Sequence, residues 1–119
     1  MEKVNLLEKF ALFSEYWTPK IVGELNGQQV KLAKLNGEFI WHRHEEEDEL
    51  FFVVKGQLRI CLRESEVVLD PGEFCIVPRG VEHKPVADDD VLLLMFEPGT
   101  TVNTGNQINE RTVETPEWI

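Results

Sequence analysis

The histidines at positions 42, 44 and 83 are the side chains best suited to chemistry at neutral pH. His42 and His44 are two residues apart in a segment predicted to be a strand, so both imidazoles should project from one face, with Arg43 on the other. Glu49 begins the next predicted strand after a short acidic turn. If its side chain faces the same way, Glu49 meets the two histidines across neighbouring strands, and a barrel can bring His83 beside them.

Three imidazoles and one carboxylate form a ligand set typical of Fe, Mn, Ni, Co, Cu or Zn, whereas Mg and Ca prefer oxygen ligands. A divalent transition metal held in this way would keep coordination positions open for water or substrate. Each piece also has an ordinary explanation when it is taken alone. His42 and His44 would be a surface histidine pair on a strand, the segment from Glu45 to Glu49 a solvated acidic loop, and His83 an ordinary loop histidine.

The elements that must position these side chains are predicted to be almost entirely strands. A short helix is expected from Asn5 to about Ser14, because Asn5 is a good N-cap and Glu8 completes a capping-box-like pattern. Asn26-Gly27 and Asn36-Gly37 are both hairpin signals. Strands are predicted over residues 28–35, 38–44, 49–55, 57–63, 67–69, 74–77, 81–86 and 91–96, separated by breakers that include the three aspartates at 88–90. Many short strands of this kind predict an all-β sandwich or closed barrel.

The chain of 119 residues fits one domain. We divide it into an N-terminal helix and arm at 1–18, a barrel at 20–97 and a polar tail at 98–119. Its 12 basic and 22 acidic residues give a net charge of −10, which argues against nucleic acid and anionic membrane surfaces as partners. No secretory signal or membrane-spanning run is recognised, so a cytoplasmic location is expected. Cys61 and Cys75 lack CxxC spacing and are interpreted as small core or sheet residues.

Two segments resemble the paired motifs of the cupin superfamily. The first, Gly37-x4-His42-x-His44-x4-Glu49-x6-Gly56, lies at 37–56, and the second, Gly72-x5-Pro78-x-Gly80-x2-His83, lies within 72–87. The chain departs from the pattern in two places: the spacing from Gly37 to His42 is one residue short, and Ala87 replaces a frequent asparagine. Neither departure involves a proposed metal ligand.

The resemblance implies a double-stranded β-helix, or jelly roll, with a metal inside the barrel, and it assigns ligand roles to His42, His44, Glu49 and His83. The segment that begins at Glu97 is similar to that of small cupins described as mannose-6-phosphate isomerase-like. A homodimer is expected, because with the N-terminal helix the residues that face away from the metal side make a large apolar outer surface: Trp41, Leu50, Phe52 and Val54. The resemblance to cupins agrees with this expectation.

We expect a metal-dependent enzyme acting on a small organic molecule by dioxygenase-, isomerase- or lyase-type chemistry, with Glu49 as the candidate catalytic residue. The alternative is a non-catalytic, metal-containing module that binds a small molecule.

Overall fold

The computed structural model describes residues 1–119 and contains one short helix and eight strands. The elements in chain order are α1 (Leu6–Phe10), β1 (Lys20–Leu25), β2 (Gln28–Glu38), β3 (Glu49–Lys55), β4 (Leu58–Cys61), β5 (Glu66–Leu69), β6 (Phe74–Val77), β7 (Lys84–Pro98) and β8 (Glu117–Trp118). No helix is long and apolar enough to cross a membrane. The predicted all-β class with a short N-terminal helix is confirmed.

The long strand β7 organises the sheet, because it pairs antiparallel with β2, β3 and β4 along different parts of its length. The strand order is β5-β4-β7-β2-β1-β8, and β3 connects β7 to the edge strand β6. Pairing of one strand with several partners curls the sheet around a common interior and gives the jelly roll. The interior is filled by 12 buried apolar residues: Ala33, Leu35, Phe51, Val53, Leu58, Ile60, Leu69, Val77, Ala87, Val91, Leu93 and Met95.

The second Asn-Gly pair does not form the predicted hairpin. The β1–β2 hairpin at Asn26-Gly27 is confirmed, with φ of 52° and 78° at its two central residues. Gly37, by contrast, uses its φ of 85° at an irregularity inside β2, which continues to Glu38.

The three aspartates at 88–90 do not separate two strands, as predicted, but form an exposed bulge inside the single strand β7. The β2–β7 register passes from Leu35↔Val91 to Gly37↔Ala87, so Asn36 alone lies opposite the three aspartates. The side-chain amide of Asn36 donates a 2.7 Å hydrogen bond to Asp90, which stabilises the bulge. Two predicted strands are therefore one, and that strand extends alongside the whole length of β2.

The N-terminal helix begins as predicted but ends early, at Phe10 instead of near Ser14. Asn5 caps it by accepting a 3.0 Å hydrogen bond from the backbone of Glu8. Phe10 and Phe13 then pack against Val22 and Leu32 on the outer side of the sheet. The helix thus covers part of the barrel's own outer surface.

The C-terminal tail returns to the sheet instead of extending away from it. Its last strand, β8, pairs parallel with β1, and the backbone N–H of Ile119 donates a 3.0 Å hydrogen bond to Ile21. Cys61 in β4 and Cys75 in β6 are both free and half-buried, as expected for sheet residues.

Candidate metal centre

The structure brings together all four side chains singled out in the sequence. His42, His44, Glu49 and His83 each offer one ligand atom, and these atoms lie within 4.8 Å of one another. Each residue is at most 4% exposed, so the cluster lies inside the barrel. Buried polar side chains gathered this closely require either mutual hydrogen bonds or a shared ion to offset their desolvation.

The two motifs are joined at His42 and His83. The backbone N–H of His42 donates to the carbonyl of His83 at 3.0 Å, and the N–H of His83 donates back at 2.9 Å. His42 and His83 thus form an isolated antiparallel bridge that belongs to no strand. The strand predicted over 38–44 is wrong, because β2 ends at Glu38. His83 lies just before the first residue of β7. The side-chain directions nevertheless agree with the prediction, because His42 and His44 are buried while Arg43 is exposed.

His44 is held in a loop that other parts of the chain fasten from both sides. Its carbonyl accepts a 2.7 Å hydrogen bond from Gly80, in the turn of the second motif. On the other side, Arg43 exchanges hydrogen bonds with Asn106 of the tail, at 2.9 Å from its N–H and 3.0 Å to its carbonyl. The segment between the two histidines therefore takes its shape from distant residues.

Glu49 takes its direction from β3, of which it is the first residue. Burial alternates along this strand, so Glu49, Phe51 and Val53 face the interior, while Leu50 and Phe52 face outward. This alternation is the one predicted from the sequence.

The ring orientations of two histidines are fixed by their own backbones. Nδ1 of His42 lies 2.9 Å from the carbonyl of Ile40, and Nδ1 of His83 lies 2.9 Å from the carbonyl of Val81. A carbonyl only accepts hydrogen bonds, so each Nδ1 carries the proton and each Nε2 presents its lone pair. This is the arrangement usual for imidazoles that bind metals.

Three atoms at the centre of the cluster have no hydrogen-bond partner: Nε2 of His44, Oε1 of Glu49 and Nε2 of His83. Oε1 of Glu49 lies 2.9 Å from Nε2 of His44 and 3.4 Å from Nε2 of His83. Buried polar atoms without hydrogen bonds are costly and rare, and one cation bound between these three would satisfy all of them. The mixture of imidazole and carboxylate donors fits a divalent transition metal and leaves its identity open.

The protonation states also suit metal binding, which requires neutral imidazole and ionised carboxylate. Burial and the neighbouring His83 lower the pKa of His42 to about 4. Burial alone would raise the pKa of the Glu49 carboxyl, but the nearby nitrogens of His44 and His83 hold it well below its ordinary value. Near neutral pH, His42 is therefore neutral and Glu49 is charged.

The cluster borders a mostly apolar cavity. Its free volume is about 430 Å³, including the part that is open to solvent. Its apolar and polar lining residues are Trp17, Pro19, Ala33, Leu35, Phe39, His42, Glu49, Phe51, Pro85, Leu93, Met95, Glu97 and Asn103. Only a small part of this volume, about 40 Å³, can hold water-sized molecules, so the pocket has room for a small organic group and none for a polymer.

Sequence reasoning missed a buried lysine–glutamate contact beside this cavity. Nζ of Lys31 lies 3.0 Å from Oε1 of Glu97, and both side chains are 2% exposed. Burial and the Glu49 carboxylate raise the pKa of Glu97 well above its ordinary value. The available signal was strand parity, since Glu97 continues the inward-facing series of Leu93 and Met95.

Comparison with known proteins places the chain in a family. The family model described as a cupin domain matches residues 28–102. The chain is 37% identical over 78 residues to the uncharacterized protein YdbB of Bacillus subtilis (strain 168); the match covers 65% of this chain but only 63% of YdbB.

Two solved structures are similar to this chain over most of its length. A cupin-2 domain containing protein from Shewanella frigidimarina is 42% identical with a TM-score of 0.79, covering 80% of this chain and 93% of that one. Protein NMB1881 from Neisseria meningitidis is 31% identical with a TM-score of 0.76, covering 82% of this chain and all of that one, 100%. The family model spans more than half of the sequence, and the fold and motif positions agree with it, so this chain belongs to the cupin domain family.

Proposed function

We propose that the chain binds one divalent transition metal through His42, His44, Glu49 and His83 and uses it to transform a small organic molecule. The observation that carries this proposal is the convergence of three buried polar atoms without hydrogen bonds, from His44, Glu49 and His83, in a cluster of which Glu49 and His42 line an apolar cavity. An octahedral ion such as Fe, Mn, Co or Ni held by four protein ligands would keep positions free for a substrate, whereas a tetrahedral zinc with the same four ligands would be closed. When bound, the metal supplies Lewis-acid or redox chemistry.

The cavity walls select the substrate by size and polarity. Phe39, Phe51 and Leu93 offer apolar contacts, and they reduce the water around the reacting group. Polar interactions strengthen in such a setting, so a carbonyl or carboxylate oxygen directed at the ligand cluster would be held firmly. The acidic chain as a whole should repel a large polyanion, while a small acid or hydroxycarbonyl compound can still enter.

Glu49 is the proposed proton carrier of the reaction. Its carboxylate lines the cavity, so if it leaves the metal it can accept a proton from a substrate carbon or oxygen and return it elsewhere. Isomerisation of a carbonyl compound and oxidation by O₂ are the two reactions that we consider first. An isomerase reaction would fit the mannose-6-phosphate isomerase-like character of the segment that begins at Glu97.

The first experiment measures metal. Protein purified without chelator should contain roughly one transition metal ion per chain, and added Mn, Fe, Co, Ni or Zn should raise the melting temperature of stripped protein. Absence of metal by elemental analysis, together with no stabilisation by any of these ions, would contradict the proposal.

The second experiment measures turnover. Fe(II)- and Mn(II)-loaded protein is incubated with small acids, sugars and diketones while O₂ uptake and product mass are followed. His83→Ala is the matched inactive control, and Glu46→Gln, a change at an exposed position, should retain activity. Tight binding of a compound that is recovered unchanged with every metal would favour the non-catalytic binding module instead.

A further inference from the structure

The cavity beside the ligand cluster opens between the N-terminal arm and the C-terminal tail. Of its lining residues only Trp17 and Asn103 are not buried, so these two mark its mouth. Trp17 stacks on Phe39 with ring centroids 4.8 Å apart, and the Asn103 side chain donates a 2.9 Å hydrogen bond to the carbonyl of Arg111. Because the room inside is small, most of any substrate larger than a few atoms must lie at this mouth.

Arg111 places a guanidinium group at the mouth. Its Cζ atom lies 5.6 Å from the centre of the Phe39 ring, and its Nη1 donates a 2.8 Å hydrogen bond to the carbonyl of Glu38. The Phe39 ring in turn meets the His42 ring edge-on, with centroids 5.4 Å apart. Phe39 therefore neighbours both the guanidinium and a proposed metal ligand, so a molecule of a few carbon atoms can reach from one to the other.

This guanidinium lacks the acidic partner that the other arginines have. Arg111 forms no ion pair, whereas four arginines form ion pairs with N···O distances of 3.5 Å or less: Arg43, Arg59, Arg63 and Arg79. The side chain of Glu38, whose carbonyl Arg111 contacts, is paired with Lys84 instead. Only Nη1 of Arg111 is engaged, so the other N–H groups of this guanidinium are available to an anion.

A guanidinium group in this position suits a carboxylate or a phosphate. Its planar set of N–H donors can bind two oxygens of either group at once, which a lysine ammonium does less well. The chain as a whole carries a net charge of −10, so a free anion gains little from most of the surface. Attachment of the same molecule at the metal would raise the effective concentration of its acidic end at Arg111.

We propose that Arg111 binds an acidic group of the substrate at the cavity mouth, so that the site prefers small molecules with a carboxylate or a phosphate at the end away from the metal. This inference rests on the proposed metal function, since the metal would hold the near end of the substrate. It assigns a substrate-contacting role to the C-terminal tail, outside both motifs.

The test compares ligands that differ in the charge of the far end. Co(II)-loaded protein is titrated with pentanoate and glutarate, with hexanoate and adipate, and with glycolate and 2-phosphoglycolate. Dissociation constants are obtained from the cobalt absorption bands and by calorimetry, and the measured quantity is the preference for the doubly acidic member of each pair. Effects of the second acidic group on cobalt itself contribute equally in all variants, so differences between variants isolate the protein's contribution.

We expect Arg111→Gln to reduce this preference at least about threefold, which is within the range of partly exposed ion pairs. The glutamine amide can still donate to the Glu38 carbonyl, so the tail keeps a hydrogen bond there. Arg111→Lys should retain part of the preference, because it keeps the charge without the planar set of donors. In the wild type, the preference should fall as salt is added.

Arg63→Gln is the matched control. It removes the same charge from an arginine that also lies over an aromatic ring, since the Arg63 guanidinium is 3.9 Å from the centre of the Trp41 ring. Trp41 does not line the cavity, so this variant should keep the full preference.

Separate outcomes identify which proposal fails. If the wild-type protein takes up no Co(II), the proposed metal function fails and this inference fails with it. If cobalt binds normally but no pair shows a preference, or the preference is the same in Arg111→Gln, only the role of Arg111 is overturned. If Arg111→Gln weakens both members of every pair equally and lowers the melting temperature, Arg111 only anchors the tail, and the inference is again overturned. A preference that depends on Arg111 in the phosphate pair alone, or in the carboxylate pairs alone, supports the proposal and identifies the acidic group.

Discussion

His42 and His83 hydrogen-bond to each other through both pairs of backbone groups, with N···O distances of 3.0 and 2.9 Å. One bridge therefore positions a histidine of each motif, although the residues lie far apart in the sequence. Each ring is then oriented by a carbonyl two residues before it, from Ile40 and Val81. Because both imidazoles depend on the same bridge, ordering of the first motif also orders the second.

This relationship predicts that either histidine is required for metal binding. His42→Ala or His83→Ala should weaken binding at least about 10-fold, which is the low end of what loss of even a supporting partner costs. Arg43→Ala should bind metal normally, because that side chain is exposed on the other face. Competition with a chromophoric chelator measures all three constants. An equal loss in Arg43→Ala would contradict the assignment of faces.

The neutral state of His42 predicts acid sensitivity of the metal-free protein. Its pKa is lowered to about 4 from 6.5, first by burial and then by His83. Between about pH 4 and pH 6.5, His42 therefore binds a proton in the unfolded chain but not in the folded chain. The stabilising contribution, roughly 3 kcal/mol, is complete above pH 6.5 and disappears as the pH falls towards 4. Urea unfolding of wild type and His42→Gln at pH 7.5 and 5 measures it; the wild type should lose more stability than the variant.

Regular alternation made the inner face of β3 predictable, because Glu49, Phe51 and Val53 follow the period of a strand. The segment before it alternates only from Trp41 to His44, since Phe39 is buried as well as His42, and it is not a strand. The N–H of Phe39 bonds to Pro85, and the carbonyl of His44 bonds to Gly80, so successive backbone groups find different partners. Alternation in a sequence specifies faces; it does not specify whether a neighbouring strand is available to pair.

The Lys31–Glu97 pair shows another limit of sequence reasoning. Each residue alone resembles an ordinary solvated charge. Register brings them together: Lys31 lies opposite Met95, so Glu97 is its diagonal neighbour on the same inner face. The strand predicted from the sequence ends at Phe96, one residue short of Glu97, whereas β7 continues to Pro98.

The tail predicts a further sensitivity at Gly105. Its φ is +56°, and a Cβ there would lie 2.2 Å from the carbonyl oxygen of Arg43 and 3.2 Å from the ring of His42. Gly105→Ala should displace the histidine segment, lowering both the melting temperature and metal affinity. Gly27→Ala is the matched control, because Gly27 has φ of +78° with nothing within 4 Å. Gly27→Ala should lower the free energy of unfolding only by the backbone strain, about 1 kcal/mol, and leave the metal affinity unchanged.

The outer surface bears on the predicted homodimer. Strand β6 pairs only with β3, so its other edge is open, and its Phe74 and Ile76 are 58% and 56% exposed. Phe52 and Leu50 lie directly opposite them in register and are half-buried. Val54, which we expected in this surface, instead packs against the cluster covered by the N-terminal helix, and Trp41 lies 3.9 Å below the guanidinium of Arg63. The apolar surface available to a partner is therefore centred on β6.

We expect two copies to associate through this edge, because an exposed apolar edge strand is a ready template for pairing and native chains normally cover it. Light scattering at micromolar concentration should give twice the chain mass of 13.8 kDa. Phe74→Lys with Ile76→Lys should return the mass to that of one chain, since like charges would then face each other across the two-fold axis. Val68→Lys is the control: Val68 is 42% exposed but lies in β5, at the other edge of the sheet. A wild-type mass near 13.8 kDa would refute the dimer. If Val68→Lys alone lowers the mass to that of one chain, the dimer interface lies at β5 and not at β6.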